Sequence, residues 1–301
     1  TPTTQAELKT RWPSARSGCV FAPAPGVGSV RLSTHVLVCL EPSDRSLLFL
    51  VPEQATYQAE RAILSDKRVA GYHRLQILSF DRLQFMLLGK NTARPLVSRL
   101  GRQMIVHKIL RDIRDELTVF RSSSLLPGFA RQIAETIAEM YQYAKTPEEV
   151  TALPQKLSAG GAGRLAAMKF ADIARIFQAY IQYLSGRFAD PDAQILDAAD
   201  RLRTVETQDF ASLRGAHLWV DGFSGFTEGE TILLIELLKR VDRAHIALSM
   251  DPAHVTEGGS AVPHPETDVF EPTERTHAAL LEAIGRAHIE LRPHVRLQHV
   301  N

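Results

Sequence analysis

Glu53, Gln54 and Thr56 follow directly on the apolar run Leu47 to Val51 and its stop at Pro52. A carboxylate, an amide and a hydroxyl so close together supply hydrogen-bonding groups where a buried strand hands over to a helix, and open α/β sheets bind ligands at such strand ends. Phe80, Arg82 and Phe85 make a second cluster. Phe85 lies three residues after Arg82, so a helix puts both on one face that also looks toward Phe80. An arginine converging with two aromatics at a strand end has the makings of a base-stacking platform with a phosphate or base-edge contact. Spacing alone favours a plainer arrangement, two core phenylalanines and a surface arginine, because aromatic pairs at helical spacing usually pack inward.

Gly26, Gly28, Ser29, Ser33 and Thr34 form a third cluster. The strand-like Gly18 to Ala22 runs into PAPGVGS and then the apolar Val36 to Leu40, the outline of a strand, phosphate loop and helix. In detail the match breaks: GxxxxGK[ST] places a lysine after the last glycine, whereas Gly28 is followed by Ser29 and Val30, and the nearest cation is Arg31. A Gly-Ser turn that joins two elements fits these residues better. The competing enzyme reading has Arg31, Ser33 or Thr34 replace the usual lysine and hydroxyl so that ATP and Mg²⁺ still bind. Asp221 ends another apolar strand, where P-loop proteins hold Mg²⁺. Gly222 follows it, so a hydrogen-bonding structural aspartate is the better fit, and neither a metal site nor a catalytic residue is assigned.

These clusters need strands and helices to hold them. Leu47 to Val51 is five consecutive apolar residues, comfortable only as a strand buried on both faces. Leu75 to Phe80 is the next strand, with Asp81 as the cap of a helix over Arg82 to Leu88. Ala216 to Asp221 and Ala244 to Met250 read as further strands. Thr227 and Glu230 make a capping box for a helix that buries Leu233, Leu234, Leu237 and Leu238, and a last helix spans Thr276 to Arg286. Between the strands, 96–204 reads as helix-period segments: Ile105, Ile109, Ile113 and Leu117 share one stripe, Phe129, Ile133, Ile137 and Met140 a second, and Ile173, Phe177, Tyr180, Ile181 and Leu184 a third. Asp190 and Pro191 start a short helix as cap and first-turn proline. The expected organisation is a parallel-sheet α/β domain in two parts, 1–95 and 205–301, interrupted by an all-helical insertion at 96–204.

Composition narrows the function classes. With 35 basic against 34 acidic residues the formal charge is +1, so no overall field marks a partner for nucleic acid or membrane, and any polyanion site is a local patch. Cys19 and Cys39, in apolar surroundings and without CxxC spacing, exclude a disulfide framework and argue against a metal centre. No run approaches the roughly 20 apolar residues of a membrane span, and Thr1 to Arg16 lacks a signal-peptide core. The expected compartment is a reducing cytoplasm.

Several stretches together resemble one family: VPEQATYQ at 51–58, ILSFDRL at 77–83, VDGFSGF at 220–226 and LSMDP at 248–252, with further likeness in GRQMIVHKIL, PGFARQIAETIAEMYQYAKTPEEV and FADPDAQIL. They are similar to the amino-terminal helicase-like region of the AddB/RexB family, the B subunit of bacterial AddAB-type ATP-dependent helicase–nucleases. The resemblance implies a RecA-like, superfamily-1 helicase fold carrying a helical insertion, and a role in double-strand break repair by recombination. It further implies a module that holds one displaced DNA strand and scans it for the Chi sequence while an AddA-type partner translocates. Carried over residue by residue, the scanning channel falls on Gln54, Thr56, Phe80, Arg82, Phe85 and Phe223; Phe85 stands where the family often has tryptophan, which keeps an aromatic face. The family's GxAGSGKT start is here PAPGVGSVRLST, without the lysine, and the family's nuclease domain and four-cysteine iron–sulfur cluster do not belong to these residues. A scaffold that binds the A subunit without touching DNA is the remaining alternative.

Overall fold

The computed structural model describes residues 19–23 (as backbone), 45–67, 71–89, 94–146, 148–153, 163–205, 210, 212–250 and 269–292. In chain order the strands and α-helices are β1 (Cys19–Pro23), β2 (Leu47–Leu50), α1 (Thr56–Leu64), β3 (Leu75–Leu78), α2 (Phe80–Leu88), α3 (Arg99–Asp112), α4 (Pro127–Gln142), α5 (Arg164–Leu184), α6 (Gln194–Thr204), β4 (His217–Val220), α7 (Glu228–Leu238), β5 (Arg243–Leu248) and α8 (Glu271–Arg286). The chain divides into two compact units, one of Thr1–Leu87, Ala199–Phe226 and Glu230–Asn301, the other of Leu88–Ala198 and Thr227–Gly229.

The first unit is an α/β layer structure on one sheet, in the order β1-β5-β4-β2-β3. Every pairing is parallel. β2 lies between β4 and β3, with Phe49 in register with Trp219 on one side and Ile77 on the other. This position accounts for its sequence: each residue from Leu47 to Val51 is at most 1% exposed, and burying each such side chain is worth about 1.5–3 kcal/mol. Leu47, Phe49, Val51 and Trp219 pack on Ala59 and Ile63 of α1, while the alternate residues Leu48, Leu50, Leu218 and Val220 turn to the opposite face.

The connections reverse direction beside β2. The chain leaves β2 outward to β3 but leaves β4 the other way, to β5. Right-handed crossovers carry α1 and α7 to opposite faces, which makes the carboxyl ends of β2 and β4 the switch point at which open α/β sheets bind ligands.

Among the described residues the second unit is helical, with an isolated bridge between Leu96 and Ala189. Its core joins Ile109, Leu110, Ile133, Ile137, Phe177 and Tyr180. The stripe expected on α3 faces the core and is wider than expected: Ile109 and Leu117 are buried, Ile105 and Ile113 pack against the same cluster, Val106 and Leu110 are fully buried beside them, and the α-helix ends at Asp112, before Leu117. The same side of α3 carries a buried ion pair. Arg102 is 7% exposed and donates from Nε and Nη2 to the two Asp190 oxygens at 3.1 and 2.5 Å. Asp190 also accepts from the Tyr180 hydroxyl at 2.5 Å and from the Asp192 N–H at 2.9 Å, the expected cap role at Pro191. Asp172, fully buried in the middle of α5, accepts the N–H groups of Thr118, Val119 and Phe120 at 2.7–3.0 Å and pins that loop.

Candidate nucleic-acid interface

The carboxyl ends of β3, β2 and β4 lie side by side, and each carries part of the candidate site. At the end of β2, Val51 still donates to Leu78 O at 2.9 Å, but Pro52 brings no N–H and the ladder stops. The Pro52 carbonyl accepts the Ala55 N–H at 2.8 Å, closing a 3₁₀ turn over Glu53–Ala55 that runs straight into α1. The Thr56 hydroxyl donates to Glu53 O at 2.9 Å, and the residue is only 6% exposed. Gln54 is thus presented outward, while Thr56 is turned inward and shapes the turn.

At the end of β3 the helix begins earlier than the sequence suggests. Ser79, not Asp81, caps it: the Ser79 hydroxyl accepts the Arg82 N–H at 3.3 Å and its carbonyl accepts the Leu83 N–H at 2.9 Å. α2 consequently starts at Phe80 and buries Phe80, Leu83, Gln84 and Leu87 on one face. Arg82 and Phe85 fall on the opposite face. The inward packing that spacing alone favours holds for Phe80, at 5% exposed, and fails for Phe85, at 70%. Arg82 Nε stands 3.9 Å from Glu53 Oε1 with both side chains more than half exposed, a pair worth at most about 1 kcal/mol. So weak a partner yields readily to a phosphate.

At the end of β4, Phe223 and Phe226 reach back to Phe80. Phe80 meets Phe223 edge-on at 5.6 Å and Phe226 at 6.1 Å between ring centroids, and Phe223 lies 4.9 Å from Phe226. At its far side the loop meets α8, where the Thr276 hydroxyl shares its one proton between Ser224 O at 2.9 Å and Pro272 O at 2.8 Å. Asp221 is buried and its Oδ1 accepts the Gly222 N–H at 2.8 Å, the hydrogen-bonding role expected of it. Burial pushes its carboxyl up to about 6, against the pull of that hydrogen bond.

The structure therefore joins Phe80 to Phe223 and, through Glu53, brings Arg82 beside the turn that carries Gln54. Phe85 shares the outward face of Arg82. Phe226 and Tyr57, the latter 69% exposed, belong to the same strand ends and were missed by sequence reasoning; the repeat of phenylalanine at i and i+3 in GFSGF was a usable signal. Gly26, Gly28, Ser29, Ser33 and Thr34 lie outside the described residues. Chemically, an exposed guanidinium, an exposed ring and an exposed amide at neighbouring strand ends suit a chain of stacked bases joined by phosphates.

Comparison with known proteins points to one family. The chain is 35% identical over 271 residues to the B subunit of the ATP-dependent helicase/deoxyribonuclease of Pelotomaculum thermopropionicum, a match covering 88% of this chain and 23% of that protein. It is 34% identical over 255 residues to the protein of the same name from Symbiobacterium thermophilum, covering 84% of this chain and 21% of the relative. The protein of that name from Desulforamulus reducens is 34% identical over 252 residues, covering 83% and 21%. The chain thus spans about a fifth of the length of the curated relatives it matches. The family model described as "ADDB, N-terminal" matches residues 37–301, and on these grounds the chain belongs to the AddB amino-terminal family.

Proposed function

We propose that this chain is the helicase-like amino-terminal part of the B subunit of an ATP-dependent helicase/deoxyribonuclease, and that the carboxyl edge of its sheet holds a single DNA strand. In this reading the parallel sheet is a RecA-like domain, the helices between β3 and β4 are its insertion, and the subunit works with an AddA-type partner in recombinational repair of double-strand breaks. The partner supplies translocation, and this subunit scans the passing strand for Chi.

The observation that carries the reading is the outward face of α2. Arg82 and Phe85 are held exposed by a helix whose other face is buried, directly beyond the end of β3, where Phe80 meets the Phe223 and Phe226 rings that follow β4. Stacking accepts any base, while Gln54 adds hydrogen bonds that discriminate among bases. The names of the relatives, which denote a helicase and deoxyribonuclease subunit, favour DNA as the strand.

The test uses the full-length subunit assembled with its partner. Arg82→Ala and Phe85→Ala are expected to weaken strand binding and to blunt the Chi response while leaving the thermal unfolding unchanged. Unaltered binding and an unaltered Chi response in both variants overturn the proposal.

A further inference from the structure

The residues singled out on the turn after β2 end at Thr56, yet the exposed surface continues along α1. Thr56, Ala59 and Ile63 define the buried side of that helix. Gln54, Tyr57, Gln58 and Arg61 follow one another at i, i+3, i+4 and i+7, the spacing of a single outward stripe, and all four are exposed. A rise of about 1.5 Å per residue spreads the stripe over roughly 10 Å, from the sheet edge along the helix.

The stripe alternates the chemistries that a nucleic-acid strand needs. Tyr57 offers a ring 69% exposed, a large exposure for an amphipathic aromatic that gains nothing from packing there. Gln54 and Gln58 flank it with amides able to make paired hydrogen bonds to a base edge. Arg61, one turn beyond Tyr57, supplies a cation for a phosphate. A packing explanation fails for Tyr57, because the buried side of α1 is already occupied by Ala59 and Ile63 against Leu47, Phe49 and Trp219.

We infer that α1 extends the strand-binding track: Tyr57 stacks on a base next to the one met at Gln54, and Arg61 contacts the phosphate that follows. The inference rests on the function proposed above and adds a second stacking station, on α1, to that on α2. Both glutamines then face bases, which makes this stripe a determinant of sequence preference as well as of affinity.

The experiment uses the full-length subunit assembled with its partner and a single-stranded oligonucleotide carrying 5-iododeoxyuridine at successive positions. Irradiation is expected to give an adduct on Tyr57, located by mass spectrometry, at a position neighbouring the one that labels Phe85. Tyr57→Ala is expected to weaken binding fivefold or more while Tyr57→Phe binds as the parent, the size of effect seen when a stacked aromatic is removed. Arg61→Ala is expected to reduce the slope of log affinity against log salt by about 0.7, the value for one single-strand phosphate contact. Adducts and affinity losses at Phe85 and Arg82, with none at Tyr57 and Arg61, overturn the inference and leave the proposed function standing. No loss at any of the four overturns both. Loss of partner association in Tyr57→Ala, with undiminished DNA affinity in the complexes that form, shows a protein contact instead and also overturns the inference.

Discussion

Gly222 lies with its bare Cα against the ring of Pro52, joining the ends of β4 and β2. Its φ is +81°, and a Cβ at that position would stand 3.3 Å from Pro52 Cδ. A left-handed backbone and a close approach to Pro52 thus both disfavour a side chain. Gly222→Ala should cost about 1–2 kcal/mol from the left-handed backbone alone, with a further loss as the β4 loop moves away from Pro52. Urea unfolding of this chain checks the first effect. A shift of Phe223 away from Phe80, read as weaker strand binding by the assembled complex, checks the second.

The outward face of α2 predicts function without stability. Arg82 and Phe85 make few contacts, so their alanine variants should unfold within about 0.5 kcal/mol of the parent. Arg82→Ala should nevertheless flatten the salt dependence of strand binding by about 0.7 in slope, and Phe85→Ala should lower affinity at every salt concentration. Phe85→Trp should keep affinity, since the ring face persists. A stability loss of several kcal/mol in either alanine variant would place these residues in the core and contradict the exposed face.

Asp221 and His217, at opposite ends of β4, give opposing pH slopes. The Asp221 carboxyl is raised by burial from 3.8 to about 6, so its contribution is fully present below pH 3.8 and is lost as pH rises through 6, by at most about 3 kcal/mol. The His217 imidazole is lowered from 6.5 to about 4, first by burial and then by Arg243 and Arg45. Its contribution is present above pH 6.5 and is lost as pH falls toward 4. Asp221→Asn, whose amide oxygen still accepts the Gly222 N–H, should stabilise the chain near pH 7 and gain nothing below pH 4. His217→Gln should blunt the acid-side loss between pH 6.5 and 4. Unfolding free energies measured across pH 4–7 for the parent and each variant test both signs.

The Arg102–Asp190 pair predicts a large effect in the helical unit. Asp190→Asn removes the buried carboxylate that takes both Nε and Nη2 of Arg102, leaving the partly exposed Asp192 as the remaining anion on the guanidinium, and should cost up to about 3 kcal/mol. Arg102→Met in the same chain should recover part of that loss, because the second change removes a buried charge that Asp190 no longer neutralises. Additive losses in the double variant would mean that the two residues act separately.

The strands were legible because their burial is written in composition: five apolar residues in a row leave β2 no solvent face, and in the structure both faces are covered. Helix faces were less legible. The α3 stripe is legible in Ile105, Ile109, Ile113 and Leu117, but Arg102, a charged residue, also occupies a core position, which its pairing with distant Asp190 and Asp192 permits. Phe85 illustrates the reverse error, since hydrophobicity alone assigns it inward while Leu83 and Leu87 already fill that side of α2. Ser79 was overlooked as a cap because the strand was extended through it. The ring cluster was half visible: Phe223 stood out in DGF, but nothing local says that Phe226 turns back to Phe80 across the sheet.

The strand order has a consequence during synthesis. β2 is completed on both sides only when β4 pairs with it, and β4 follows the entire helical stretch in the sequence. At about 5–20 residues per second the ribosome needs on the order of ten seconds or more to deliver the missing neighbour. Throughout that interval an intensely apolar strand presents an open edge to other nascent chains. Early docking of α1 shields one face of β2 but not this edge, so the newly made chain is at its most vulnerable to aggregation before β4 arrives, and chaperone demand should peak there.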